Sequence, residues 1–124
     1  MNDPSIRPAA PLGAALCLFL AASQADAHAK LVSSTPASQA VVAAPKQIVL
    51  RFGEEVAPRF SGFELMRADG GKVVAAISIP AKDHKTMVGA VASPLIPGNY
   101  RVTWHAVAAD DGHRTQGDFS FTVR

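Results

Sequence analysis

Two short stretches of this chain carry the residues best suited to chemistry. Ala25-Asp26-Ala27 has the small-x-small form of a signal-peptidase site, and cleavage after it would leave His28 as the first residue of the mature chain. A leading histidine is a ready chelator, because its α-amine and ring nitrogen close one ring on a metal. Downstream, Asp111-Gly112-His113 offers a carboxylate and a second imidazole, and Gly112 permits a tight turn that aims both outward on one side. These nitrogen and oxygen donors suit the tetragonal geometry of Cu(II), which also heads the divalent affinity order; zinc would accept the same set tetrahedrally and more weakly. The amine and the imidazoles must shed protons to bind, so the affinity should fall on acidification.

The same residues have a plainer account. A histidine beside a cleavage site can fray like any terminus, and Asp-Gly is ordinary turn chemistry. Spacing alone leaves open whether the N-terminal segment docks beside the Asp111–His113 turn. Of the other histidines, His84 sits in the charged run Lys82-Asp83-His84-Lys85 and reads as solvated. His105 points opposite Trp104 on its strand, which puts it on the outer sheet face or beside the site.

The elements that must position these residues begin after the leader. Arg7, an uncharged run from Leu12 to Ala22 and the cleavage tripeptide make the three-part layout of a secretory signal over residues 1–27. The apolar run is well short of the ~20 residues that a bilayer span needs. Cys17, the single cysteine of the 124-residue chain, lies inside it, so the mature chain has no thiol and any soft-metal chemistry falls to Met or His. Residues 28–124 carry 11 Lys and Arg against 8 Asp and Glu, a mild +3 with no basic cluster. With one Trp and one Tyr for stacking, that balance does not point to nucleic acid. The length suits one domain.

Period-two alternation predicts about seven strands. Ile48, Leu50 and Phe52 share a face opposite Val49 and Arg51; Phe63 and Leu65 oppose Glu64 and Met66; Val73, Ala75 and Ile77 form a row. Tyr100, Val102, Trp104 and Ala106 form a long row, Phe119, Phe121 and Val123 close the chain, and Ala29–Ser34 and Thr86–Val91 complete the set. Turn formers between them, among them Pro36, Pro58, Asp69-Gly70-Gly71, Pro97-Gly98-Asn99 and Asp111-Gly112, predict an all-β sandwich or barrel. Ser38–Ala44 could make one short turn of helix. Leu95, Gly98 and Tyr100 suggest a tyrosine corner of the immunoglobulin-like kind, and Trp104 reads as the centre of the core.

Taken together, these residues resemble the CopC-like periplasmic copper-binding proteins. The likeness runs from His28-Ala29-Lys30-Leu31-Val32-Ser33-Ser34-Thr35-Pro36 through Ile48–Glu54, Lys85-Thr86-Met87-Val88 and Ser93-Pro94-Leu95 to Tyr100 and Trp104. It ends at Asp111-Gly112-His113 and Phe119-Ser120-Phe121-Thr122-Val123. The resemblance implies a Greek-key, immunoglobulin-like β-sandwich or barrel over 28–124 that holds one Cu(II) through His28, Asp111 and His113. It places an acidic residue, here Glu54, beside the amine; Glu55 would point to the opposite face. Some members carry a second, Cu(I) site in a loop rich in Met and His, but Arg67–Lys82 has neither, and Met66 and Met87 are isolated. One Cu(II) site alone is therefore expected.

The implied function is that of a monomeric periplasmic carrier or buffer for Cu(II) in copper resistance or homeostasis, with an inner-membrane copper transporter as partner and no catalysis. A copper oxidase or oxygenase built on an N-terminal histidine is the alternative from the enzyme class. Asp111 would fill a coordination position that such an enzyme keeps open, and the chain has few aromatics for a broad substrate face. A metal-free immunoglobulin-like interaction domain is the third reading.

Overall fold

Alternating apolar residues make the strands, and the chain crosses repeatedly between two sheets to bury them. The computed structural model describes residues 29–124. In chain order the strands are β1 (Leu31–Thr35), β2 (Val41–Val42), β3 (Gln47–Phe52), β4 (Gly62–Arg67), β5 (Lys72–Val73), β6 (Ala75–Ser78), β7 (Thr86–Val91), β8 (Gly98–Val107) and β9 (Arg114–Val123). A 3-10 turn, Pro58–Phe60, precedes β4. One sheet has the order β1-β3-β7-β6 and the other β2-β9-β8-β4-β5. All pairs are antiparallel except β2 with β9. The signal segment 1–27 and His28 lie outside the described residues. Among the described residues no helix is long and apolar enough to cross a membrane.

The predicted inward rows meet between the sheets. Ile48, Leu50 and Phe52 from one sheet face Phe63, Leu65, Val102, Trp104, Ala106, Phe119 and Phe121 from the other. Trp104 packs edge-on against Phe52, with ring centroids 5.3 Å apart. Across β8 and β9 it lies over Gly117, where an added Cβ would meet the indole at 2.8 Å. Such a T-shaped pair contributes on the order of 1 kcal/mol beyond its buried area. The tyrosine corner is present: Tyr100 Oη donates to the Ile96 carbonyl at 2.6 Å.

The structure corrects the reading of three segments. Ser38–Ala44 forms no helix. Its backbone runs along β9, with Gln39 N donating to the Ser120 carbonyl and Thr122 N to the Ala40 carbonyl, and Val41–Val42 extends the ladder as β2. Pairing with a sheet edge outweighs the weak local helical preference. The row Val73, Ala75, Ile77 is not one strand, because the chain leaves one sheet after β5 and enters the other at β6, exposing Val74 at the crossing. Val49 is buried although it faces away from Leu50. It lies on a central strand, flanked by Thr35 of β1 and Val88 of β7. The short strand β2 and the division of the Val73–Ile77 row into β5 and β6 account for nine strands where about seven are predicted.

Candidate metal centre

The long β8–β9 hairpin dictates where Asp111 and His113 stand. Its two ten-residue strands pair without interruption from Gly98↔Val123 to Val107↔Arg114, leaving residues 108–113 as the connecting loop at one end of the sandwich. Ala108 N donates to the His113 carbonyl at 2.9 Å and Gly112 N to the Ala108 carbonyl at 3.0 Å, which closes the loop. Gly112 adopts φ +72°, a left-handed conformation that costs glycine nothing. Asp111 Oδ1 accepts the His113 backbone N–H at 2.9 Å, the Asx turn expected of Asp two residues before its donor. Both side chains are exposed. The tight turn read from the sequence is present, and both side chains lie at its surface.

Three further stretches converge on this end. The Ala109 N–H donates to the Glu55 carbonyl at 2.9 Å, and Val56 bridges to Ala108. The Gly53 N–H donates to the Lys30 carbonyl at 2.9 Å. Thr115 Oγ1 donates to the Ala29 carbonyl at 2.6 Å, and Ala29 is 0 % exposed. Residues 29–30, 53–56 and 108–115 are thus joined into a closed ring that spans both sheets. The half-buried Glu54 lies within it, next to the glycine that holds the N-terminal segment. His28 itself lies outside the described residues. Among the described residues no group of three or more His, Cys, Asp or Glu could hold a metal ion. Asp111 and His113 are thus two candidate donors on one loop at this end of the sandwich. The pair fits copper by its chemistry: one hard carboxylate and one imidazole, open to solvent and fixed by backbone hydrogen bonds.

The other histidines are placed elsewhere. His105 is half-buried on the outer face of the five-stranded sheet, between Gly62 of β4 and Gln116 of β9, its ring lying over the space a Gly62 side chain would take. Burial lowers its basicity, Arg114 adds to that effect, and Glu64 opposes it. His84 is half-buried in the turn between β6 and β7, where its carbonyl accepts the Val56 N–H at 2.9 Å.

Thr115 was not singled out by sequence reasoning. A threonine on a strand is unremarkable there, and its partner is a backbone carbonyl 86 residues away. The one available signal was its position two residues beyond His113.

Comparison with known proteins assigns the family. The CopC domain model matches residues 31–124. The chain belongs to the CopC family. Copper resistance protein C of Pseudomonas syringae pv. tomato is 42 % identical over 112 residues, covering 86 % of this chain and 88 % of that one. The crystal structure of PcoC, a methionine-rich copper resistance protein from Escherichia coli, superimposes with a TM-score of 0.73 at 39 % identity, over 79 % of this chain and 100 % of the other. CopC from Methylosinus trichosporium OB3b gives a TM-score of 0.72 at 32 % identity, over 77 % and 93 % of the two chains. In contrast to the methionine-rich relative, this chain has Met1, Met66 and Met87 alone, and Met87 is buried in the core.

Proposed function

We propose that this chain is exported, trimmed between Ala27 and His28, and holds one Cu(II) in the periplasm as a carrier or buffer in copper resistance or homeostasis. The ligands in this reading are the α-amine and ring of His28, a carboxylate oxygen of Asp111 and a ring nitrogen of His113. Glu54 orients the amine and offsets charge that a dipositive ion with one carboxylate leaves. The observation that carries the reading is the ring of contacts at one end of the sandwich. Residue 28 starts one peptide, about 3.8 Å between Cα atoms, from the anchored Ala29. His113 lies two residues before Thr115, whose hydroxyl holds the Ala29 carbonyl.

The lack of Met and His between Arg67 and Lys82 favours a single Cu(II) site and no Cu(I) site. Copper would then leave in the oxidation state in which it arrived, toward an inner-membrane transporter, and nothing in this role calls for a catalytic group. The test is Cu(II) titration of protein whose start at His28 is verified by mass spectrometry, beside a version with one extra leading residue. Emission of Trp104, the single tryptophan, reports binding. A large loss of affinity in the extended version supports the reading, and equal affinity removes the amine from it. Peroxide formation by the copper protein with a reductant would favour the oxidase alternative instead.

A further inference from the structure

The first two described residues are pinned to different sheets. Lys30 is held through its carbonyl by Gly53, at the end of β3, which keeps the segment on the four-stranded sheet. A contact that crosses to the five-stranded sheet, on the strand that follows His113, is the 2.6 Å hydrogen bond from Thr115 Oγ1 to the Ala29 carbonyl. We infer that the Thr115 hydroxyl is a positioning group for copper, holding the N-terminal half of the site against the Asp111–His113 turn. The inference rests on the proposed Cu(II) site.

The hydroxyl has a second acceptor. The Ala106 carbonyl, on the residue paired with Thr115 across the hairpin, lies 3.5 Å from the same oxygen. A hydroxyl carries one proton, so it donates to one carbonyl at a time. With the N-terminal segment docked the proton points to Ala29. When the segment lifts, rotation about the side chain turns the proton to Ala106, and no partly buried donor is left without a partner. Docking is favoured by the shorter of the two Thr115 bonds, by the Gly53–Lys30 bond and by the burial of Ala29, and undocking leaves the hydroxyl only the longer bond to Ala106. Thr115 acts as a latch with two rests, and the open rest gives the amine of His28 a route out of the copper sphere.

The test compares wild-type protein starting at His28 with Thr115→Val, which keeps the branched shape and loses the donor, and Thr115→Ser, which keeps the donor. Affinity is read by chelator competition, ligation by the electron paramagnetic resonance spectrum of the Cu(II) protein, and docking by hydrogen exchange, without metal, of the Gly53 amide that donates to the Lys30 carbonyl. The Val variant should bind Cu(II) about fivefold more weakly and surrender it faster, with the Ser variant within about twofold of wild type, the factor that one net hydrogen bond sets. The spectrum of the Val variant should shift toward fewer coordinated nitrogens and its Gly53 amide should exchange faster, while its circular dichroism stays that of a β-protein. Wild-type affinity and spectrum in Thr115→Val overturn the latch and leave the site reading standing. Equal weakening in the Ser and Val variants also overturns it, by assigning the effect to shape. Should the Val variant fail to fold, the Ser variant and the wild-type exchange data still decide, since an unprotected Gly53 amide in wild type contradicts docking. A wild-type spectrum without an amine nitrogen fells the site reading and the latch together.

Discussion

Gly112→Ala isolates the cost of the turn that carries Asp111 and His113. Gly112 has φ +72°, and a Cβ built there meets nothing within 4 Å, so the substitution adds no clash and removes no contact. What remains is the backbone term: an L-residue in the left-handed region costs about 1–2 kcal/mol. The loop cannot evade it cheaply, because the Gly112 N–H and the His113 carbonyl are both bonded to Ala108. For a domain near 100 residues that cost lowers Tm by about 5–10 °C. Gly112→Asn should recover most of it, since Asn tolerates this region. Thermal unfolding of the metal-free proteins, followed by circular dichroism, measures the effect. The Cu(II) spectrum of the Ala variant should match wild type, because the closed loop keeps its shape and bears the strain. An Ala variant melting within about 2 °C of wild type, with Asn no better, refutes a left-handed residue held at this turn.

Further outcomes follow from the same geometry. Asp111→Ala and His113→Ala should each weaken Cu(II) binding in competition assays by more than about 100-fold, and Glu54→Gln by about 10-fold, the scale of an orienting partner. Tyr100→Phe removes the 2.6 Å hydrogen bond to the Ile96 carbonyl and should destabilise the fold by about 1 kcal/mol in urea unfolding, with copper affinity unchanged. The Asp83 carboxyl is held below its usual 3.8 first by the Thr86 hydroxyl and then by the Lys85 N–H. Its ionised form is favoured by folding, so its contribution is present above that value and is lost as pH falls through the lowered one. The stability gap between wild type and Asp83→Asn should therefore narrow as pH falls from 6 toward about 3, and a constant gap would contradict the assignment.

The two-residue period made most of the fold legible. Ile48, Leu50 and Phe52, the Tyr100–Ala106 row and the Phe119–Val123 row all face the core as their alternation requires, because a half-buried strand tolerates no other register. Segments whose structure depends on distant partners were not legible. Val41–Val42 pairs with β9 through backbone groups that carry no side-chain signature, and Val74 is exposed because the chain changes sheets there. The Asp111–His113 turn of the candidate site could be read directly, since an Asx turn and a left-handed glycine are local chemistry. Thr115 could not, because its acceptor is the carbonyl of an alanine at the other end of the chain, and any residue type offers a carbonyl.

The central claim is that the amine created at His28 and the turn bearing Asp111 and His113 hold one cupric ion between them. Electron–nuclear double resonance on the processed, Cu(II)-loaded protein tests it most directly, because an amine nitrogen and imidazole nitrogens differ in hyperfine coupling. A strongly coupled amine nitrogen beside the imidazole nitrogens of His28 and His113, lost when one residue is added ahead of His28, is the predicted result. Imidazole couplings alone, unchanged by the added residue, would contradict it.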